Sequence, residues 1–234
     1  MRSSRISSTI YFLFCKLFGV EEKLFEKRVD DFIKKLQNFN TSVFERKIFN
    51  PWLNYDENDI SNNAPNLRSK NLKKYLLNSQ AAKYILIAES PSTGARFTGI
   101  AMTSEKVIFS NNLDFEFTSI KSKEKKYVYE LTAKKVWDEI LKSKNKFVMW
   151  NAFAFNIHEK ENRWFENPTK EELYSNLELL NEFLALYKEA KIITVGKTAQ
   201  NALETLNFKD FDSIRHPSND FKKEFPKQFE KYIL

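Results

Sequence analysis

The chain is poor in cysteine, histidine, glycine and proline. Its 234 residues include one cysteine, two histidines, four glycines and six prolines. Because Cys15 is the only cysteine, the chain has no disulfide framework, no four-cysteine zinc site and no cysteine-ligated iron–sulfur cluster. His158 and His216 are too few for a histidine-based metal centre, so we expect neither metal nor cofactor. The scarcity of glycine and proline excludes a low-complexity chain, and the single cysteine favours a reducing cytoplasm.

Long hydrophobic runs are also missing. The apolar stretch from Ile10 to Cys15 is interrupted by Lys16 and is too short to cross a membrane. No small-residue cleavage site follows it, so we expect neither export nor membrane insertion. What the chain has instead is a net charge of +7. Such an excess favours a polyanionic partner such as nucleic acid, although a lysine-rich composition also arises from genome base bias.

Short apolar runs alternate with helical patterns along most of the chain. The predicted strands are residues 84–88, 147–150, 192–195 and 213–215, with weaker candidates at residues 106–109 and 127–129. Helices are predicted over residues 66–78, after Thr132, from Asn167 onward and over residues 199–206. This alternation is typical of an α/β fold with a parallel sheet and helices on both faces.

Two helices have distinctive signatures. The first begins near Glu21 and carries an apolar stripe that we expect in the core, namely Phe25, Val29, Phe32, Ile33 and Leu36. The second, predicted to be the longest, begins at Asn167, where Thr169 and Glu172 have the spacing of a capping box.

The segment Val195-Gly-Lys-Thr198 looks like the end of a phosphate-binding loop. That motif requires a glycine five residues before Gly196, and Lys191 occupies the position. Nucleotide hydrolysis is therefore not expected, and Gly196 is predicted to form a tight turn between a strand and a helix.

Three predicted strands end in polar or reactive residues. The first ends in Glu89, Ser90 and Pro91, the second in Asn151, and the last in His216. Because the carboxyl ends of parallel strands meet at one edge of the sheet, these side chains are expected to line one cleft. An amide, an imidazole and nearby aromatic rings suit a flipped-out nucleobase, since an amide both donates to and accepts from a heterocycle edge.

These strand ends resemble the motifs of the uracil-DNA glycosylase superfamily. Ala88-Glu-Ser-Pro91 aligns with its first motif, Asn151 with its middle motif and His216-Pro-Ser218 with its last. The segment Arg96-Phe-Thr-Gly-Ile-Ala-Met-Thr-Ser-Glu105 is similar to bacterial members that carry no iron–sulfur cluster. The likeness covers about residues 40–234, so we expect a helical extension over residues 1–40 and a glycosylase-like domain over residues 41–234.

The resemblance implies a three-layer α/β/α sandwich around a four-stranded parallel sheet. It also implies a monomeric enzyme that hydrolyses the N-glycosidic bond of uracil, or a related damaged base, in DNA. For catalysis, it implies that Glu89 or Ser90 positions the water and that His216 stabilises the departing base. For base binding, it implies that Asn151 reads the base edge and that Pro91, Phe97 and Phe153 complete the pocket, with Phe97 stacking on the base. For DNA binding, it implies that Pro217 and Ser218 hold the backbone and that Phe221 is the apolar wedge that fills the vacated stack.

The first motif departs from the superfamily pattern. Ser90 stands where the most active members carry Asp or Asn, Ala88 replaces glycine, and Ser92 replaces the glycine or tyrosine that often follows the proline. Two hypotheses follow: a DNA glycosylase in base-excision repair, acting on uracil or another base, and a non-catalytic nucleic-acid-binding module that keeps the pocket. His158 is expected to be exposed rather than catalytic.

Overall fold

The computed structural model describes residues 8–157, 167–218 and 220–233, with side chains from residue 19 onward and up to Tyr232. Its centre is a parallel sheet of four strands. They are β2 (Tyr84–Ala88), β3 (Phe147–Asn151), β5 (Lys191–Val195) and β6 (Asp212–Ile214), in the order β3-β2-β5-β6. The remaining strands, β1 (Ile48–Phe49) and β4 (Asn156–Ile157), form a small antiparallel pair.

The sheet is covered by helices on both faces. The helices are α1 (Ser8–Asn38), α2 (Ala64–Asn78), α3 (Thr93–Thr98), α4 (Glu105–Ser110), α5 (Leu131–Ile140), α6 (Lys170–Ser175), α7 (Leu177–Leu186), α8 (Lys197–Thr205) and α9 (Glu224–Ile233). Short 3₁₀ turns cover Thr41–Val43 and Ile120–Glu124. The three-layer α/β/α fold predicted from the resemblance is confirmed.

Strand β3 illustrates how the two faces are packed. Trp150 stacks on Phe183 of α7, with ring centroids 4.7 Å apart, and also contacts Phe32 of α1. Phe147, three residues earlier, stacks on Phe229 of α9 at 5.1 Å. Because side chains alternate along a strand, residues separated by an odd number lie on opposite faces. Helices α1 and α7 therefore cover one face of the sheet, and α9 covers the other.

The N-terminal helix packs on the core as its stripe predicted. All five apolar side chains of the stripe are buried, and α1 contacts both α2 and α7. No helix within the described residues is long and apolar enough to cross a membrane.

Several predicted elements were wrong in detail. Residues 106–109 form helix α4 rather than a strand, and residues 127–129 are an irregular segment. Helix α5 begins at Leu131 after Glu130 as its N-cap, so Thr132 lies inside the helix and does not cap it. The capping box of Thr169 and Glu172 is present, but its helix ends at Ser175.

The break between α6 and α7 is caused by Asn176. Its side chain is fully buried and donates to the carbonyl of Ala152 at 2.8 Å while accepting from the Ala154 amide at 3.2 Å. A buried amide that satisfies loop backbone groups competes with a continuous helix. As a result, α1 and not the segment after Asn167 is the longest helix among the described residues.

Candidate active site

A cavity of about 810 Å³ opens at the carboxyl edge of the parallel sheet. Every strand of that sheet contributes to its wall, either through its last residues or through the loop that follows it. Five residues predicted from the sequence line the cavity together: Glu89, Ser90, Asn151, His216 and Ser218. The carboxyl edge is where open parallel α/β sheets place ligands, so the predicted cleft is present.

The pairing of β2 and β3 places Glu89 beside Asn151. Ala88 and Asn151 are partners in the parallel register. The pairing continues past the strand ends, because the amide of Ala152 donates to Ala88 at 2.8 Å and the amide of Phe153 donates to Glu89 at 2.8 Å. The carboxyl and the amide side chains are therefore held on adjacent backbone segments at the cavity wall.

Asn151 carries an unsatisfied hydrogen-bonding group. The residue is only 4% exposed, and its Oδ1 atom has no hydrogen-bond partner among the described residues. Leaving a buried polar atom unpaired costs about 1–3 kcal/mol. A ligand that brings an N–H donor to this atom would remove that cost.

The hydrogen bonds of His216 define its tautomer. The backbone amide of Ser218 donates to Nδ1 at 3.2 Å, and the hydroxyl of Ser218 lies 2.8 Å from the same atom. Since Nδ1 accepts, the neutral ring carries its proton on Nε2. Burial lowers the pKa of His216, and the charge of Lys135 lowers it further. The imidazole is thus a neutral Nε2–H donor at the cavity.

Gly196 and Lys135 hold the histidine loop in place. Gly196 follows β5, donates to the carbonyl of Ile214 at 2.8 Å and has φ 92° and ψ 163°. A Cβ atom there would lie 2.8 Å from the Cβ of His216, so only glycine allows this close approach. Lys135 of α5 donates from Nζ to the carbonyl of Pro217 at 2.6 Å. The strand-to-helix turn predicted at Gly196 is confirmed.

Glu89 lies at the same edge, next to the beginning of α8. Burial raises the pKa of Glu89, while a hydrogen bond with Thr198 opposes that rise. A carboxyl whose pKa is shifted upward toward neutrality is better suited to accept a proton than an ordinary surface glutamate. Thr198 belongs to the segment that resembled a phosphate-binding loop, and here it contacts the acid instead.

Glu130 is a cavity residue that sequence reasoning missed. Its carboxylate accepts from the hydroxyl of Ser92 and from the backbone of Ala95, and burial raises its pKa. A Cβ atom on Gly94 would lie 2.4 Å from Oε2 of Glu130, so the glycine leaves room for this acid. The contact joins the loop after β2 to the beginning of α5 across 38 residues of sequence.

Four predicted residues are buried and do not line the cavity. Phe97 is 4% exposed with the Arg96 guanidinium 4.6 Å from its ring centroid, and Phe153 is fully buried. Pro91 is buried and its carbonyl accepts from Asn156 at 2.7 Å, while Pro217 is also buried. Enclosed rings are not presented to a base, so this geometry gives no support to stacking by Phe97.

Two further sequence predictions are placed differently. Phe221, the predicted wedge, is 93% exposed and does not line the cavity. His158, expected to be exposed, lies outside the described residues.

The fold and the cavity define an α/β/α protein with a polar pocket at the carboxyl edge of a parallel sheet. The model of the uracil DNA glycosylase superfamily matches residues 75–233, so the chain belongs to that superfamily. The crystal structure of wild-type SMUG2 from Pedobacter heparinus is similar in fold, with a TM-score of 0.59 and 15% sequence identity, covering 88% of this chain and 95% of that one. No curated protein sequence matches the chain.

Proposed function

We propose that the protein is a DNA N-glycosylase that binds a flipped-out uracil, or a related damaged base, and hydrolyses its N-glycosidic bond. The observation that carries the proposal is the unpartnered, buried Oδ1 of Asn151 in the wall of a cavity that also contains the imidazole of His216. Membership of the superfamily supports the same reaction class.

Base recognition is assigned to Asn151. The N3–H group of uracil would donate to the unpartnered Oδ1, so that binding satisfies an acceptor that is buried without a partner in the free protein. An enzyme acting on a base must take it out of the stack, and a pocket at the sheet edge is suited to a single extruded base.

Bond cleavage is assigned to His216 and Glu89. As the bond between N1 and C1′ breaks, negative charge develops on the departing base, and the Nε2–H of the neutral imidazole donates to its O2 atom. Water attacks C1′, and the carboxylate of Glu89 accepts the proton of that water. The proton taken up by Glu89 then passes to N1 of the departed base, so the products are the neutral base and an abasic site, and the carboxylate is regenerated. Ser90 lines the cavity beside Glu89 but carries no acid of its own.

We infer that Ser218 contacts the DNA backbone and that the enzyme acts as a monomer in the cytoplasm. Ser218 lies at the cavity wall next to His216. The single cysteine fits a reducing compartment.

Incubation with an end-labelled DNA strand containing one uracil, followed by alkali, tests the proposal. We expect strand cleavage at the uracil with the wild-type protein, and a rate about 100- to 1,000-fold lower in His216→Ala, by analogy with loss of an oxyanion donor. Asn151→Ala should also lose activity, whereas Leu24→Ala on the exposed side of α1 should retain it. Intact DNA binding without cleavage, at enzyme excess, would reject catalysis on uracil and favour the binding-module hypothesis.

A further inference from the structure

A cluster of aromatic side chains lies on the surface just before the cavity-lining residues of α5. We name Phe109, Phe117, Tyr127 and Tyr129 the aromatic platform. Tyr127 stacks on Phe109, with ring centroids 4.4 Å apart, and contacts the tilted ring of Phe117, with centroids 4.9 Å apart. Phe109 is 50% exposed and Tyr129 is 55% exposed. None of these residues has a role in the proposed base pocket.

The platform is held rigidly by Glu105. This fully buried carboxylate accepts from the amides of Thr118 at 2.9 Å, Ser119 at 2.8 Å and Val128 at 3.3 Å. The amide of Lys106 in turn donates to the carbonyl of Val128 at 2.9 Å. Helix α4 and the segment that carries Tyr127 and Tyr129 are therefore fastened to each other, and the rings do not depend on a flexible loop.

The platform is directly connected to the cavity. Tyr129 is followed by Glu130, Leu131 and Thr132, which all line the cavity wall. Since one residue of chain spans at most about 3.6 Å, Tyr127 lies within roughly 11 Å of Glu130. A strand whose base occupies the cavity would therefore bring its neighbouring nucleotides within reach of these rings.

Exposed lysines lie in the chain segment between Phe117 and Tyr127, and another lysine contacts Phe109. Lys121, Lys123 and Lys125 are exposed and form no ion pair with any described residue. Lys106 is also exposed and lies 5.2 Å from the ring centroid of Phe109. The exposed acids between Phe109 and Tyr129 are Asp114, Glu116 and Glu124; Asp114 is paired with Lys74, and Glu124 is paired with Lys126 at 2.8 Å. Aromatic rings together with unpaired lysines are the combination that binds single-stranded nucleic acid.

We propose that the aromatic platform binds unpaired nucleotides that flank the flipped base on the same DNA strand. Exposed rings stack on bases of any sequence, and the lysines contact phosphates. A duplex keeps its bases stacked inside, so the platform selects single-stranded DNA or the opened strand at a lesion. This inference rests on the proposed function for the base in the cavity, but the binding itself does not require excision.

Fluorescence anisotropy with a short, fluorescein-labelled oligothymidine that contains no uracil tests the platform. We expect Tyr129→Ala and Phe109→Ala each to weaken binding by about fivefold or more, as alanine replacement of a base-stacking ring does. Tyr129→Trp should retain the affinity. Replacing Lys121 and Lys123 together by alanine should lower the slope of log affinity against log salt by about 1.4, since each single-strand phosphate contact contributes about 0.7.

Matched controls come from the exposed side of α1. Leu24→Ala removes an exposed apolar side chain, and replacing Lys23 and Lys27 removes two exposed lysines; neither change should alter affinity or salt slope. Thermal melting shows whether each variant is folded. The proposal is overturned if the folded platform variants bind oligothymidine as tightly as the wild type does. It is also overturned if the control variants lose as much affinity, or if the platform variants lose as much affinity for duplex DNA of the same length. Normal uracil release by the wild type, together with unchanged oligothymidine binding in the folded platform variants, would reject the platform alone. No uracil release by the wild type, together with weakened oligothymidine binding in those variants, would reject the proposed function alone.

Discussion

Replacing Gly196 by alanine tests how the histidine is positioned. The residue has φ 92° and ψ 163°, a backbone region that is essentially restricted to glycine and costs other residues about 1–3 kcal/mol. In a chain of this size each kcal/mol lowers the melting temperature by about 2–4 °C, so we expect a decrease of roughly 2–12 °C. The new Cβ would also lie 2.8 Å from the Cβ of His216, so the imidazole must move.

The displacement should affect catalysis more than stability. A misplacement of about 1 Å in a catalytic group lowers a rate by about 100-fold, so uracil release by Gly196→Ala should fall by that order at saturating substrate. Nitrogen-15 NMR of the imidazole, assigned with His216→Gln, should show a changed environment for Nδ1 because its contact with Ser218 is disturbed. The assays are thermal melting, single-turnover release and the NMR spectrum.

Gly19→Ala is the matched control. Gly19 lies in helix α1 and a Cβ there would meet no atom within 4 Å. Alanine is favoured over glycine inside a helix by about 0.5–1 kcal/mol, so this variant should be slightly more stable and fully active. A Gly196→Ala protein with the melting temperature and release rate of the wild type would refute the close packing of Gly196 on His216.

Three further predictions concern titration and buried charge. Uracil release should decline as pH falls through the pKa of Glu89, which burial raises above its ordinary 4.5, because this acid must be ionised to accept the proton of the water; a release rate that stays constant down to pH 4.5 would contradict this. Burial raises the pKa of Glu130 above its ordinary 4.5, so its ionisation opposes folding, and stability should decrease as pH rises through the raised pKa. In Glu130→Gln the side chain still accepts from Ser92 but does not ionise, so the free energy of unfolding should no longer decrease over this pH range. An unchanged pH dependence in denaturant unfolding would show that Glu130 is not the group responsible. Asp59→Ala should lower the free energy of unfolding, measured with denaturant, by about 3–5 kcal/mol. The reason is that the guanidinium of Arg68, which is fully buried 2.6 Å from Asp59, would lose its counter-charge. A decrease under about 1 kcal/mol would show that the ion pair is not essential.

The sheet and the strand ends were predictable because their signals are local. Strands β2, β3 and β5 are short apolar runs, and in a parallel sheet such runs are buried on both faces. Glu89 follows β2, Asn151 ends β3 and His216 follows β6, so these residues are expected at one edge of the sheet. Helix α4 was mistaken for a strand because its apolar run, Val107 to Phe109, has only three residues and is too short to show a helical or a strand period.

The contacts across the cavity were not predictable from local signals. Glu130 meets Ser92 through the packing of α5 beside the loop after β2, and neither residue belongs to a recognisable pattern. Phe97 was placed at the base because it follows the first motif, yet the Arg96 guanidinium covers its ring and encloses it. The direction of a side chain in a short helix depends on tertiary packing, which a motif does not specify.

Detection of the free base by mass spectrometry shows whether this cavity cleaves an N-glycosidic bond. A DNA strand that contains one uracil among thymines and cytosines is incubated with excess protein, and the released bases are identified and counted. We expect uracil in amounts equal to the DNA, with no thymine or cytosine. The Asn151→Ala variant should remain folded but release no uracil. Release of no base, or release that is unchanged in Asn151→Ala, would contradict the assignment of this cavity as a glycosylase active site.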